Sequence, residues 1–126
     1  MAERRILVVD DAGLVRLYYR DTLTAAGYAV EEALNGLEAM EKVLGGGFDL
    51  LVVDINMPKM DGLTFLRRLR REKGAPASVP ALITSTESGP QDREAARQAG
   101  ANFYLVKPVT PAVLLRHVAL LTGRAA

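Results

Sequence analysis

Three aspartates and one lysine stand directly after short apolar runs in this 126-residue sequence: Asp10, Asp11, Asp54 and Lys107. Carboxylates that lie close together repel one another unless a cation is shared between them. Mg²⁺ prefers carboxylate, carbonyl and water oxygens, and it commonly bridges to phosphate. If the fold brings these four side chains together, they could hold a divalent cation beside a phosphoryl group.

The elements that would position them alternate along the chain. Apolar, β-branched runs predict strands at residues 6–9, 29–33, 50–53, 81–84 and 103–106. Helical periodicity predicts helices at residues 15–26, 37–44, 63–71, 91–99 and 111–121, and residues 72–80 are predicted to form a loop. Gly27 and Gly100 are placed to end helices, while Thr110 and Pro111 are placed to begin the last one.

Strands that alternate with helices indicate a parallel sheet covered on both faces. Because crossovers are right-handed, we expect an α/β fold with a doubly wound, five-stranded parallel sheet, flavodoxin-like in the order 2-1-3-4-5, and five helices. We expect one domain over residues 1–126. Such sheets carry their site at the carboxyl ends of the strands, where the aspartates, Lys107 and the hydroxyl run 84–86 would converge.

Composition excludes several other classes. The chain has no cysteine and one histidine, so disulfides, thiolate metal sites and a cysteine nucleophile are ruled out. A formal net charge of +1 favours neither nucleic acid nor an anionic membrane as a partner. The first apolar run is too short for a signal peptide or a membrane span, so we expect a cytoplasmic protein.

The sequence resembles the receiver domain of two-component response regulators. The residues that carry the resemblance are the Asp10-Asp11 pair and the segments 53–62, 83–87, 99–101 and 104–108. The closest pattern within the family is the stand-alone, chemotaxis-type regulator, which also carries an asparagine at the position of Asn56. The resemblance implies a phosphoacceptor signalling switch in a phosphorelay, which catalyses only its own phosphorylation and dephosphorylation.

The resemblance also assigns roles within the site. Asp54 is expected to be the nucleophile that forms the acyl phosphate, and it needs no general base because a carboxylate is already ionised near neutral pH. Asp11, Asp54 and the backbone carbonyl of Asn56 are expected to bind Mg²⁺ directly, with Asp10 acting through water. Lys107 is expected to pair with Asp54 before phosphorylation and with the phosphoryl group afterwards.

A hydroxyl after the fourth strand is expected to donate to the phosphoryl group. Counting back from the fifth strand gives Ser85, counting forward from Asp54 gives Thr84, and we prefer Ser85. Thr86, where the family usually has a smaller residue, and Glu87 are expected to modulate access to the acyl phosphate.

The resemblance also implies how phosphorylation is signalled to a partner protein. Tyr104 is expected to turn inward with Ser85 on activation. This movement is expected to change the surface of the fourth helix, fifth strand and fifth helix, to which a downstream target protein would bind.

A histidine kinase or phosphotransfer protein is the expected donor. Tyr18 and Tyr19 would either form part of its docking surface on the first helix or pack in the core. The basic run 67–73 is interpreted as a solvated helix face.

Three other functions fit the same fold less well. A flavin-binding module would have to bind phosphate through the hydroxyl-rich loop 85–89, but the acids after the first strand would repel it. A Mg²⁺-dependent phosphatase would need a cap or substrate pocket, for which the chain has no spare length. An interaction domain that no longer switches would not need the intact acidic cluster.

Overall fold

Five parallel strands form a single sheet in the computed structural model, which describes residues 3–123. The strands are β1 (Arg5–Val9), β2 (Ala29–Ala33), β3 (Leu50–Asp54), β4 (Ala81–Ser85) and β5 (Phe103–Val106). Their order is β2-β1-β3-β4-β5, which confirms the doubly wound prediction. The predicted domain, residues 1–126, also includes residues 1–2 and 124–126, which lie outside the described residues.

Five α-helices connect and follow the strands, as predicted. They are α1 (Gly13–Ala25), α2 (Gly36–Leu44), α3 (Gly62–Arg70), α4 (Pro90–Ala99) and α5 (Pro111–Thr122). Helix α1 begins two residues earlier than the sequence pattern indicated, because the apolar pattern begins inside the helix. The segment predicted as a loop, residues 72–80, contains a short 3-10 helix (Ala75–Ser78). Within residues 3–123, no helix is both long and apolar enough to span a membrane.

Local capping explains where the helices begin and end. The side chains of Asn35, Asp61 and Thr110 each accept a hydrogen bond from a backbone amide in the first turn of α2, α3 and α5. Gly27 and Gly100 have φ angles of 94° and 105°, so both predicted helix stops occupy a backbone region that favours glycine.

The alternation of side chains along the strands divides the core between the two faces of the sheet. One cluster packs against α2, α3 and α4 and includes Leu51, Val53 and Ile83. The other packs against α1 and α5 and includes Val52 and Leu82. Both faces of the central strands are therefore buried, and their polar residues lie at the strand ends.

One arginine of the basic run was interpreted wrongly as part of a solvated face. Arg70 is half-buried, and its guanidinium donates hydrogen bonds to the carbonyls of Gly100, Ala77 and Val79. Burial lowers the pKa of Arg70 below its ordinary value. This arginine joins α3 to the segments that lead into β4 and β5.

Candidate metal and phosphorylation site

The fold brings the three predicted aspartates together. Strands β1 and β3 are neighbours with Val9 paired to Val53, so the residues that follow them emerge side by side. Asp10, Asp11 and Asp54 each offer a carboxylate oxygen, and these atoms lie within 4.8 Å of one another. Asp10 and Asp54 are buried, whereas Asp11 is exposed at the rim. Two buried acids and one exposed acid therefore share a single cleft.

Lys107 is the cation that faces this cluster. Its Nζ lies 2.9 Å from Oδ2 of Asp10 and 3.0 Å from Oδ1 of Asp54. The backbone amide of Lys107 donates to the carbonyl of Ser85 at 2.7 Å, which holds the end of β5 beside the end of β4. Lys107 thus contacts Asp54, as expected before phosphorylation, and also contacts Asp10.

The charges in the cleft perturb one another. Burial raises the pKa of Asp54, and the carboxylates of Asp10 and Asp11 raise it further, while Lys107 acts in the opposite direction. Burial alone would lower the pKa of Lys107, but its hydrogen bonds to Asp10 and Asp54 outweigh that effect and raise it. One lysine therefore does not neutralise the acids of the cleft.

The donor set fits a hard divalent cation. Both oxygens of Asp10 are already engaged, because Oδ1 accepts from the amide of Ala12 at 2.9 Å and Oδ2 binds Lys107. Asp11 and Asn56 are exposed beside Asp54 and, within residues 3–123, neither the Asp11 carboxylate nor the Asn56 carbonyl accepts a hydrogen bond. One oxygen of Asp54 is bound by Lys107, so its second oxygen, the Asp11 carboxylate and the Asn56 carbonyl are the acceptors that a metal could use.

In the loop after Asp54, the backbone of Gly62 lies very close to that of Asp54. The amide of Gly62 donates to the carbonyl of Ile55 at 2.8 Å, and a Cβ built on Gly62 would lie 2.2 Å from the carbonyl oxygen of Asp54. Gly62 does not have a positive φ; within this loop it is Lys59 that does, at 66°. Glycine is needed at position 62 because of this close contact with Asp54, not for backbone freedom.

The two candidate hydroxyls lie on opposite faces of β4. Thr84 pairs in register with Asp54 and points, like Leu82, toward α1 and α5. Its Oγ1 is the buried side-chain polar atom that lacks a hydrogen bond among the described residues. Ser85 points toward the face that also carries Tyr104, and its Oγ accepts from the amide of Glu87 at 3.0 Å.

Three residues to which the sequence assigns a modulating or switching role, Thr86, Glu87 and Tyr104, lie around Ser85. Thr86 and Glu87 are exposed immediately after β4, and Thr86 lines a groove together with Lys107. Tyr104 is half-buried, and its hydroxyl donates to the carbonyl of Glu87 at 2.7 Å. The tyrosine is thus joined to the segment that follows Ser85.

The two tyrosines of α1 have different surroundings. Tyr19 is only 2% exposed, so of the two alternatives left open by the sequence it packs in the core. Burial raises the pKa of the Tyr19 phenol. Tyr18 lies at the surface, where its hydroxyl donates to the carbonyl of Val109 at 2.6 Å. It borders an apolar groove of about 580 Å³ beside Lys107.

Comparison with known proteins identifies the family. Residues 6–119 match the response regulator receiver domain. This chain belongs to the receiver-domain family of response regulators. The receiver domain is 36% identical to chemotaxis protein CheY1 of Helicobacter pylori, with 94% of this chain and 97% of that protein covered. It is therefore a CheY-like phosphoacceptor domain of two-component signalling.

Solved structures agree with this assignment. The receiver domain superposes on chemotaxis protein CheY4 of Vibrio cholerae with a TM-score of 0.88 at 35% identity, covering 95% of this chain and 99% of that one. It also superposes on the receiver domain of the sensor histidine kinase PA1611 of Pseudomonas aeruginosa, with a TM-score of 0.88, 29% identity, and 97% and 99% of the two chains covered. In that structure a magnesium ion is coordinated in the active-site cleft.

Other relatives are much longer. The receiver domain is 41% identical to the gliding motility regulatory protein of Myxococcus xanthus over 82% of this chain, but it spans only 13% of that relative. It spans 9% of sensor protein EvgS of Escherichia coli. Receiver domains of this kind thus occur both as nearly whole proteins and as small parts of large ones.

Proposed function

We propose that this receiver domain accepts a phosphoryl group on Asp54 in a Mg²⁺-dependent reaction and signals through a change in its surface. The observation that carries the proposal is the position of Asp54, whose carboxylate lies 3.0 Å from Lys107 and beside Asp10 and Asp11. Of the three clustered acids, Asp10 has both carboxylate oxygens engaged, and within residues 3–123 Asp11 does not bind Lys107. Asp54 is therefore the acid best placed for charge-stabilised transfer.

The transfer step requires little covalent chemistry from the protein. An oxygen of the Asp54 carboxylate forms a bond to phosphorus, the bond from phosphorus to the donor group breaks, and the electron pair of that bond leaves with the donor. The donor takes up a proton from solvent as needed. Positioning and charge stabilisation supply most of the rate in such reactions.

The residues that would hold Mg²⁺ are Asp11, Asp54 and the carbonyl of Asn56, with Asp10 one water further away. When bound, the ion would neutralise charge on the transferring group. Lys107 already contacts Asp54 and needs only to shift from the carboxylate to a phosphoryl oxygen. Its ammonium would then form a short, charge-assisted hydrogen bond to the product.

Ser85 is proposed as the hydroxyl that binds the phosphoryl group. It lies on the same face as Tyr104, and the amide that it binds belongs to Glu87, whose carbonyl binds Tyr104. Movement of Ser85 toward Asp54 would therefore disturb the contacts of Tyr104. The affected surface is formed by α4, β5 and α5, and a downstream protein would bind there.

Donor docking is proposed at α1 and the groove beside Lys107. Leu14 and Leu17 on α1 are 83% and 50% exposed, and Tyr18 forms one wall of the groove. Apolar side chains exposed together beside a reactive group favour contact with another protein. A histidine kinase or phosphotransfer protein would approach Asp54 from this side.

Thr86, which lines the same groove, would limit access of water to the acyl phosphate and so slow autodephosphorylation, with Glu87 beside it.

The test is incubation with acetyl phosphate and Mg²⁺ followed by intact-mass measurement. The wild type should gain one phosphoryl mass, and Asp54→Asn should gain none. Chelation of Mg²⁺ should suppress labelling of the wild type. Equal labelling of wild type and Asp54→Asn would reject Asp54 as the acceptor.

A further inference from the structure

An arginine of α4 covers the ring of Tyr104. The guanidinium carbon of Arg93 lies 5.1 Å from the centre of that ring, within the range of a cation–π interaction. On the other side of the contact, the Tyr104 hydroxyl is bound to the carbonyl of Glu87. The ring is therefore held at two points, one on α4 and one on the segment that follows β4.

The Arg93 side chain has no competing anion within the described residues. In the part of the chain that the structure describes, no ion pair involves Arg93, and the neighbouring Glu94 is paired with Arg97 at 2.5 Å. The aromatic ring is thus the electrostatic partner of Arg93 in residues 3–123. A cation over an aromatic face at an exposed site interacts weakly enough for the contact to open and close.

Two shallow grooves meet at this pair. One, of about 360 Å³, extends along β5 toward Val109 and Thr110. The other, of about 240 Å³, extends along α4 toward Ala101 and Phe103. Arg93 and Tyr104 line both grooves, and no acidic residue of the described chain lines either one. The pair consequently forms the wall between the two grooves.

We propose that Arg93 is a positioning residue that holds the Tyr104 ring against the Glu87 carbonyl and so couples the position of α4 to the ring. The proposal rests on the proposed function, because it extends the Ser85–Tyr104 connection to α4. Opening of the Arg93 contact would free the ring and join the two grooves. An acidic side chain of a target protein is the group that could withdraw Arg93 from the ring.

The experiment compares Arg93→Gln with Arg97→Gln. Both replace an exposed arginine of α4 with a good helix former, and the two positions are one helical turn apart. Tyrosine-ring NMR resonances of the unphosphorylated protein report the environment of Tyr104, and the amide resonance of Glu87 reports its neighbour. Arg93→Gln should reduce the population of the observed ring position about two- to five-fold. Arg97→Gln should leave the Tyr104 resonances unchanged.

A reciprocal measurement follows the arginine itself. The Nε–H resonance of Arg93 should show the shielding expected over an aromatic ring in wild type and in Tyr104→Phe, and should lose it in Tyr104→Leu. Unchanged Tyr104 resonances in Arg93→Gln, equal changes in both glutamine variants, or an unaltered Arg93 resonance in Tyr104→Leu would each overturn the proposal. These readouts need no phosphoryl group, so their failure is distinct from a failure to label Asp54 with acetyl phosphate.

Discussion

Polar groups at the amino ends of the strands are matched by partners within the chain, whereas the acids at the carboxyl ends outnumber the lysine that binds them. At the carboxyl ends of the strands, three carboxylates lie together, two of them bind a single lysine, and the pKa of Asp54 is raised by burial and by its acidic neighbours. At the amino ends, Arg70 is matched to the carbonyls of the segments that enter β4 and β5. There the amide of Arg5 also donates to the Asp49 carboxylate at 2.8 Å.

This difference separates stability from function. At the amino ends of the strands, Arg70 and Asp49 form their hydrogen bonds within the chain. These bonds contribute to the free energy of unfolding without a ligand. The carboxyl end retains excess negative charge, which costs stability and which a bound cation would offset. Mutations at the two ends should therefore change different measurements.

The largest expected effect on stability is at Arg70. Arg70→Ala removes hydrogen bonds to the carbonyls of three half-buried residues, and we expect the free energy of unfolding to fall by about 3 kcal/mol. Urea denaturation measures this change. Arg68→Ala is the matched control, because Arg68 is exposed on the same helix and should change stability by no more than about 0.5 kcal/mol.

The response to Mg²⁺ makes that comparison sharper. We expect Mg²⁺ to raise the melting temperature of the wild type by binding at the aspartate cluster. Arg70 lies at the other end of the sheet, so the same increase is expected in Arg70→Ala. A loss of the Mg²⁺ response in this variant would show that the two ends are not independent.

The next largest effect is expected at Gly62. The added Cβ of Gly62→Ala would lie 2.2 Å from the Asp54 carbonyl oxygen, so the β3–α3 connection must move. We expect a loss of about 2 kcal/mol in the free energy of unfolding, together with slower phosphorylation by acetyl phosphate. Gly46→Ala is the control for adding a methyl group, because no atom lies within 4 Å of its added Cβ, although its φ of 82° adds backbone strain. Gly46→Ala should lose stability but phosphorylate at the wild-type rate.

The sequence predicted the fold because periodicity and chain order carry that information. Buried strands such as residues 50–53 read as continuous apolar runs, and right-handed crossovers then limit the topology. The sequence also predicted that Asp10, Asp11 and Asp54 lie together, because all three follow the carboxyl ends of predicted strands. These features depend on patterns that repeat over many residues.

The contacts that sequence reasoning missed are set by single side chains in three dimensions. Arg70 stands in a basic run with exposed neighbours, and nothing in that run shows that one guanidinium turns toward Gly100. Tyr18 and Tyr19 are adjacent in sequence, but helical geometry places one at the surface and the other in the core. The signal that could have marked Tyr19 is its spacing of four residues from Leu23, which is fully buried.

A smaller effect of the opposite sign is expected at Asp11. Asp11→Ala removes one of three mutually repelling carboxylates, and its side chain is exposed and does not bind Lys107. Without Mg²⁺, we expect the free energy of unfolding to rise by about 1 kcal/mol. With Mg²⁺, the wild type should gain stability through binding, and the variant should gain much less. Calorimetry in the presence and absence of Mg²⁺ measures both changes, and identical Mg²⁺ affinities would remove Asp11 from the ligand set.

The smallest expected effect concerns Asp61, which caps α3 just beyond the site. Its Oδ1 accepts from the amide of Thr64 at 2.9 Å, and its Oδ2 accepts from the Thr64 hydroxyl at the same distance. Burial alone would raise the pKa of Asp61, but these hydrogen bonds outweigh it and lower that pKa below its ordinary value of 3.8. A carboxyl group whose pKa is lowered by folding stabilises the folded state above its unfolded pKa, and that contribution is lost as the pH falls through the folded pKa.

Asp61→Asn removes the charge but keeps the hydrogen bond from the Thr64 amide, because the asparagine Oδ1 can still accept it, while the asparagine NH2 group cannot accept from the Thr64 hydroxyl. At neutral pH the variant should lose about 0.5 kcal/mol, the value of a negative charge at a helix amino terminus. As the pH falls below the ordinary aspartate pKa, the wild type loses its charge-dependent contribution and the difference between the two proteins should shrink toward zero. Urea denaturation across this acidic range measures the difference. A difference that stays constant with pH would mean that the hydrogen-bond geometry of the cap, and not its charge, stabilises α3.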